Sequence, residues 1–279
     1  MQSLVFGAKA TRLGFYFSLI TLLLLFGVLT VLGQKNSNST APSPENKTLA
    51  VTIPAGTILP VVLRTAFSFD NCKPGLTLRG KIAQDVSLPN GARIKRGSMI
   101  EGHVVDVTPG SRSDGAKVSI RFDKLYLAGQ WVPLITNLRA IAGFTAVLNA
   151  YTPYEAPSEG TPFSWLPTTQ IGGDTVYGAE GPVMSAEDAS EVVGKSVGSG
   201  GVLARVKTKE GTKCRGAING NDSPQSLWVF SADACGAYGI EHMTIVHAGR
   251  TEPEGTIVLA SETRNFKLQS GDGMLLRVN

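Results

Sequence analysis

The sequence is poor in the residues that most often carry enzymatic chemistry. Among its 279 residues there are only three histidines and three cysteines, and charged residues make up 17% of the chain. The formal net charge is +4, and the basic residues are spread thinly, with no aromatic residues interleaved. A nucleic-acid-binding surface needs a concentrated basic patch, so we expect no nucleic-acid partner. Glycine and proline are plentiful at 32 and 15 residues, which is typical of turn-rich β proteins and excludes long helical bundles.

The histidines give no sign of a metal site. His103 stands apart from His242 and His247, which lie five residues apart in a strand-like run and therefore point to opposite faces. The sequence also lacks the calcium-loop pattern, and the Gly-Lys-Ser triplet at 194–196 lacks the upstream glycine of a phosphate-binding loop. We predict no metal site, no cofactor and no catalytic residue that the sequence alone can name.

The three cysteines leave several interpretations open. None of the spacings between Cys72, Cys214 and Cys235 fits a zinc knuckle or a redox dithiol. In an oxidising compartment Cys214 and Cys235 would close a loop of about twenty residues and contribute about 3 kcal/mol, leaving Cys72 unpaired. The alternatives are three reduced, buried thiols, or Cys235 as a nucleophile with His242 as its base.

One long hydrophobic run lies near the amino terminus. Residues 13–33 carry no charge, and Lys9 and Arg12 precede them. A helix needs about twenty apolar residues to cross a bilayer, and cationic residues stay on the cytoplasmic side. We predict a cytoplasmic tail at 1–12, a transmembrane anchor at 13–33 and a flexible spacer at 34–50, with the remainder in the periplasm. The alternative is a cleaved signal sequence that leaves a periplasmic or secreted protein.

Beyond the spacer the sequence has the period of β-strands. Apolar and polar residues alternate at 59–64, 78–83 and 118–123, which is typical of half-buried strands. Glycine and proline turn signals separate these stretches. Three apolar runs at 257–260, 266–268 and 274–278 continue the pattern at the carboxyl end. The fold class that this predicts is mainly β, a barrel or sandwich of short antiparallel strands in which the first and last strands pair.

The middle of the sequence is less regular. Residues 139–151 show helical spacing, and 185–188 carry a capping pattern for a short helix that runs to residue 193. Proline and glycine interrupt 152–199, and strands are expected again at 202–206, 227–230 and 243–246. We predict a β-barrel domain from 51–150 together with 255–279, and an irregular insertion or second β-rich module at 151–254.

Three short motifs resemble a known family. They are IPAGT entering a strand at residue 53, the Lys-Pro-Gly turn at 73–75, and IKRGS entering a strand at residue 94. This succession over 51–133 resembles the carboxyl-terminal β-barrel domain of TrbI-like conjugative-transfer proteins, which are inner-membrane-anchored scaffolds of type IV secretion systems. The family usually has a proline where this sequence carries Lys95 and Arg96, and its long proline-rich linker and two-helix antenna have no counterpart here.

The sequence supports two hypotheses about function. The first is a non-catalytic, membrane-tethered, extracytoplasmic β-barrel that acts as a scaffold or binding module, related to type IV secretion components and working with protein partners in the cell envelope. The second is an exported enzyme that acts on cell-envelope or polysaccharide substrates. A deep cleft lined by carboxylates, or by Cys235 and His242, would favour the enzyme, whereas an apolar groove would favour the binding module.

Overall fold

Short strands dominate the structure, as the alternating sequence pattern predicts. A computed structural model describes residues 52–110, 115–207, 214, 223–250, 252–263 and 267–279. The tail, anchor and spacer predicted within residues 1–50 lie outside the described residues. In the described part of the chain, no helix has the length and hydrophobicity to cross a membrane.

The described residues contain twenty strands and one α-helix. The first nine strands are β1 (Ile58–Leu63), β2 (Phe67–Ser68), β3 (Thr77–Ile82), β4 (Val86–Ser87), β5 (Arg93–Ile94), β6 (Met99–Thr108), β7 (Ala116–Leu127), β8 (Gln130–Pro133) and β9 (Thr136–Ala142). Helix α1 (Phe144–Asn149) follows, and then β10 (Pro167–Thr169), β11 (Thr175–Tyr177), β12 (Pro182–Met184), β13 (Val192–Ser196), β14 (Val202–Ala204), β15 (Gln225–Ser226), β16 (Gly236–Tyr238), β17 (Met243–Ile245), β18 (Ile257–Ser261), β19 (Lys267–Leu268) and β20 (Gly273–Val278).

These strands form two large sheets. The first has the order β16-β9-β20-β1-β3-β6-β7-β18-β17, with β8 added to the far end of β7. The second is a meander of six short strands in sequence order, β10 to β15. Pairing is antiparallel throughout both sheets except between β16 and β9. The expected pairing of the first and last strands is present, because β20 lies between β1 and β9.

The predicted closed barrel is wrong for the described residues. The strands at the two ends of the large sheet, β16 and β17, are three residues each and form no ladder with one another. The four residues that join them include Gly239 and His242, both in the left-handed region with φ of 62° and 57°. The two strands exchange no ladder hydrogen bonds, so the sheet stays open.

The large sheet is buried on one face at one end and on both faces at the other. Strand β3 alternates strictly between exposed and buried residues, as predicted. In β1 the prediction of a half-buried strand is wrong, because Leu59, Val61 and Leu63 enter one hydrophobic cluster while Ile58 enters a second. Strands β9 and β20 are likewise buried on both faces.

The second sheet accounts for this double burial. Its apolar residues, including Val183, Val202 and Ala204, pack in the same cluster as Ile58 of β1 and Leu275 of β20. Strands covered on both faces become continuously apolar, which explains the composition of β1, β9 and β20. The second sheet also supplies hydrogen bonds, since the Gln225 side chain accepts from the Ile58 N–H at 3.2 Å.

Three local predictions in the middle of the sequence are wrong. The helix predicted over 139–151 is a strand up to Ala142, and only α1 is helical. The helix predicted at 185–193 is instead a turn followed by the start of β13, and in the turn Asp188 accepts from the backbone N–H and hydroxyl of Ser190. Residues 227–230 form a turn rather than a strand, because Trp228 has a φ of 55° and the Phe230 N–H donates to the Leu227 carbonyl at 3.0 Å.

Candidate functional site

Two of the three cysteines are close enough to be bonded. The structure joins Cys214 to Cys235 in a disulfide, with 5.8 Å between their Cα atoms. Cys72 is a buried thiol, and burial raises its pKa. Because a bridged sulfur is not a thiolate, Cys235 in this state is not the nucleophile of the alternative hypothesis.

The histidines do not gather into a site. His103 Nδ1 lies 3.0 Å from Asp123 Oδ2, and His242 Nδ1 lies 3.9 Å from Glu262 Oε2, both at the protein surface. Across the ranges that the structure describes, no three His, Cys, Asp or Glu side chains come together as metal ligands would. The Gly-Lys-Ser triplet lies in β13 rather than in a loop before a helix, so it does not form a phosphate cradle.

Several concave features occur among the described residues, and one of them, a cavity of about 230 Å³, has a largely apolar, uncharged lining. It lies beside the second sheet, and we name it the Trp228 cavity after the indole that lines it. Val176 of β11 and Val202 of β14 provide apolar walls. None of the lining residues is Asp, Glu, His, Lys, Arg or Cys. The cavity therefore suits an uncharged group, because an ion placed there would lose hydration without gaining a countercharge.

A buried glutamine holds the floor of the cavity in place. The Gln84 side chain is 1% exposed, and its Nε2 donates to the Val202 carbonyl at 3.0 Å. Its Oε1 accepts from the Trp228 N–H at 2.7 Å. This contact fixes Trp228 in its left-handed backbone conformation, which is unusual for a bulky residue. Gln84 follows β3 of the large sheet, so one side chain ties the two sheets together at the cavity.

The indole of Trp228 is itself held from both sides. Its Nε1 donates to the hydroxyl of Tyr151, which follows α1. Its ring makes an edge contact with Phe230 at a centroid distance of 6.3 Å. Burial raises the pKa of Tyr151, so its hydroxyl stays protonated. The indole is thus a fixed wall of the cavity rather than a mobile side chain.

Two buried polar atoms at the cavity have no hydrogen-bond partner among the described residues. Gln170 is 4% exposed, and its Nε2 donates to the Phe230 carbonyl at 2.7 Å, while its Oε1 has no such partner. The hydroxyl of Ser196 on β13 is also buried and has no hydrogen-bond partner among the described residues. Both atoms are closed to solvent, so each is an unsatisfied polar group of the interior, at a cost of about 1–3 kcal/mol.

Five exposed aromatic residues lie on the segments that form the cavity or next to them, and two of these residues, Tyr151 and Phe163, line it. Phe163 and Trp165 are each 71% exposed, in a tight turn between Pro162 and Pro167. Tyr154 donates its N–H to the Pro167 carbonyl at 3.3 Å, and Tyr177 pairs with Pro167 in β11. We call Tyr151, Tyr154, Phe163, Trp165 and Tyr177 the aromatic patch. Contiguous exposed apolar surface of this kind marks interaction sites in soluble domains.

The opposite wall of the cavity is a glycine loop at 198–201. Gly200 and Gly201 have φ of 83° and 123°, which side chains rarely adopt. The guanidinium of Arg96 donates to the Ser199 carbonyl at 2.5 Å, and the Arg96 N–H donates to Asp85 at 2.7 Å. That backbone hydrogen bond is the main cause that lowers the pKa of Asp85. Arg96, which follows β5, therefore links the β4–β5 hairpin to the cavity wall.

A buried charged cluster fixes the chain after Phe230. Asp174 accepts from the Ala232 N–H at 2.7 Å, and Arg139 donates to the Ala232 carbonyl at 3.3 Å. Burial raises the pKa of Asp174 and lowers that of Arg139 to about 10. The cluster lies next to the disulfide at Cys235, and its role is to anchor this turn against β9.

The comparison with known proteins adds no relative. Neither a scan against protein-family models nor a search of curated sequences finds a match to this chain. The sequence analysis did not find the cavity either, since its residues come from an interval predicted as an irregular insertion. One usable signal was present in that interval, the pair Phe163 and Trp165 in a proline-flanked, uncharged stretch, because large aromatic residues rarely stay exposed without a role.

Proposed function

We propose that this chain is a non-catalytic, membrane-tethered, extracytoplasmic β-sheet scaffold that binds a protein partner at the Trp228 cavity. The observation that carries the proposal is a preformed, uncharged cavity with exposed aromatic residues on and beside the segments that form it. Aromatic anchors in desolvated pockets supply most of the binding energy at protein interfaces. The lining offers no carboxylate, histidine or thiol to act as an acid, base or nucleophile.

The tether and the location are part of the proposal and rest on the sequence. Residues 13–33 have the length and apolar composition of a membrane anchor, and the cationic residues before them favour a periplasmic carboxyl-terminal part. The Cys214–Cys235 disulfide supports an oxidising compartment. The resemblance of residues 51–133 to TrbI-like proteins supports a scaffold related to type IV secretion systems rather than a free enzyme.

Site-specific photocrosslinking in the native membrane tests this function. A photoreactive p-benzoylphenylalanine replaces Phe163 in the full chain, and the same replacement at Trp131, an exposed tryptophan on β8, serves as the matched control. We expect a protein adduct at position 163 and none at position 131. Adding Val202→Phe, which fills the cavity, removes the adduct, and a melting curve of the same variant checks that the chain remains folded.

Two outcomes would contradict the proposed function. The first is the absence of any protein adduct at position 163. The second is an adduct of equal yield when Val202→Phe fills the cavity, since the contact would then not depend on the cavity.

A further inference from the structure

One outer face of the large sheet carries cationic and apolar side chains next to one another. It extends across four neighbouring strands, β3, β6, β7 and β8, and the registers of these strands arrange its side chains in two adjacent rows. We call it the Trp131 face. Its members are Arg79, Glu101 and Lys124 in one row and Lys81, Met99, Tyr126 and Trp131 in the other.

Direct contacts connect the members of this face. The carboxylate of Glu101 lies 3.2 Å from Arg79 Nε and 2.7 Å from Lys124 Nζ. The Lys124 ammonium stands over the Trp131 ring, 5.3 Å from its centroid, and the Tyr126 ring makes an edge contact with the same indole. Because the face holds three cationic side chains and one carboxylate, its net charge is positive.

The surroundings do not cancel this charge. On the adjoining parts of β6 and β7, Asp106 and Asp123 are matched in number by Lys117 and Arg121. On a larger scale, the described residues of 52–133 include ten Lys and Arg and five Asp and Glu, whereas 150–207 include three and seven. The molecule is therefore polarised, with its positive side on the strands that carry the Trp131 face and its negative side on the second sheet.

The apolar members of the face are open to solvent. Met99 is 37% exposed, and Tyr126 and Trp131 are each 42% exposed, because the second sheet does not cover these strands. Tyrosine and tryptophan are enriched where a membrane meets water, since their rings are apolar and their polar ends hydrogen-bond there. Lysine and arginine extend an apolar stem along such a surface and keep the charge in the polar layer. The Trp131 face has this composition.

We propose that the Trp131 face binds the anionic phospholipid surface of the membrane that holds the anchor. In the bound state Tyr126 and Trp131 lie among the lipid headgroups, and the cationic side chains contact lipid phosphates. The proposal rests on the membrane tether of the proposed function. The predicted spacer at 34–50 reaches at most about 60 Å, so the bilayer is always near. A weak contact is then sufficient, because the tether raises the effective concentration of the surface.

Spin labels on the full-length chain in nanodiscs test this contact. In a Cys72→Ala background, Gln130→Cys places a label next to Trp131, and Ser158→Cys places one on the exposed segment between α1 and β10. The nanodiscs contain either phosphatidylglycerol or phosphatidylcholine, and the collision rate of each label with oxygen is compared with that of a water-soluble nickel chelate. We expect the ratio of the two rates to rise severalfold at position 130 in phosphatidylglycerol alone, and to stay constant at position 158.

Charge reversal and salt test whether the contact is electrostatic. Lys81→Glu changes the charge of the face by two, and each cationic side chain near an anionic surface strengthens the contact about fivefold. The ratio of bound to free domain is therefore expected to fall by roughly thirtyfold. Lys195→Glu on β13 of the second sheet makes the same change in net charge and is the matched control. Raising the ionic strength to about 1 M, where the Debye length is about 3 Å, is expected to release the face.

Each outcome decides the proposal. A rise at position 130 that Lys81→Glu and salt abolish, and that Lys195→Glu leaves in place, supports it. No rise, or an equal rise in both lipids, overturns it. Capture of a protein by p-benzoylphenylalanine at position 131 in the native membrane also overturns it, because the face would then belong to a protein interface. In these cases a protein adduct at position 163 leaves the proposed function intact, whereas a chain that nanodiscs do not retain removes the tether and contradicts both.

Discussion

At the scale of single residues, buried polar side chains rather than catalytic groups organise this protein. Gln84 forms hydrogen bonds with backbone groups of two separate segments. Asp174 and Arg139 form hydrogen bonds with the N–H and the carbonyl of Ala232. None of these roles was visible in the sequence, because each depends on contacts between residues more than fifty positions apart. A glutamine after a strand reads in sequence as a solvent-facing turn residue.

Replacing Gln84 by alanine is expected to destabilise the fold strongly. The change leaves the Val202 carbonyl and the Trp228 N–H buried without their partner, at about 1–3 kcal/mol each. We expect a loss of about 2–5 kcal/mol in the free energy of unfolding, measured by urea titration of the full chain in detergent. Gln130→Ala, at an exposed position on β8, is the matched control. A loss below about 0.5 kcal/mol would show that Gln84 does not hold the cavity floor.

Asp174 is expected to make the stability depend on pH. Burial raises its pKa in the folded state above the value of about 3.9 that it has when unfolded. The folded state therefore binds the proton more tightly, and this group's contribution to stability is largest at low pH and declines as pH rises through the folded pKa. Asp174→Asn keeps an oxygen acceptor for the Ala232 N–H but cannot ionise.

Comparing Asp174→Asn with the parent chain tests the direction in which stability changes with pH. We expect the free energy of unfolding of Asp174→Asn, relative to that of the parent chain, to increase between pH 4 and pH 7. Urea unfolding at each pH measures it. An advantage of the variant that shrinks as pH rises would contradict the assignment.

At the scale of strands and turns, sequence periodicity succeeded where only one face of a strand is covered. Strand β3 alternates as predicted because its outer face meets solvent. It failed in β1 and β9, because the second sheet covers their outer faces as well. That sheet is made of strands of two to five residues, which are too short to show a period in sequence. The helical spacing at 139–151 combined the end of β9 with α1, because β9 is buried on both faces and shows no alternation that would separate it from the helix.

The disulfide is expected to stabilise the turn that follows the cavity. Cys214 and Cys235 are 21 positions apart, and closing a loop of this length contributes about 3 kcal/mol by restricting the unfolded chain. Full-length protein that carries both Cys214→Ser and Cys235→Ser is expected to lose about this amount in urea unfolding. Thiol labelling of the parent chain, denatured without reductant, is expected to modify Cys72 alone. Labelling at all three cysteines would show that the bridge does not form.

The last strand is expected to be indispensable. Strand β20 pairs with β1 on one side and β9 on the other, so its removal leaves two strands without their partner. It also removes Met274, Leu276 and Val278 from the core, at about 1.5–3 kcal/mol each. A chain without residues 274–279 is expected to be degraded or unfolded, as judged by protease resistance. A deletion of the exposed residues 156–159 is the control and leaves the protein folded, whereas a truncated chain as resistant as the parent would refute this architecture.

At the scale of the whole molecule, the sequence indicated the fold class but not the site. Turn signals and alternation predicted a mainly β protein and the pairing of its first and last strands. They did not predict that the large sheet stays open, since closure depends on whether its two short end strands, β16 and β17, pair with each other. The Trp228 cavity arises only when the glycine loop, the turn at Trp228 and the segment after α1 come together, and no local pattern encodes that meeting.

Cysteine accessibility in whole cells tests the central claim, an extracytoplasmic domain whose cavity mouth is occupied by a partner. In a Cys72→Ala background, Ser164→Cys places a thiol at the cavity mouth and Ser87→Cys places one on the open surface of β4. A membrane-impermeant maleimide is applied after the outer membrane alone is permeabilised. We predict rapid labelling at position 87, protection at position 164, and loss of that protection when Val202→Phe fills the cavity. Labelling at neither position until the inner membrane is broken, or equal labelling at both, would contradict the account.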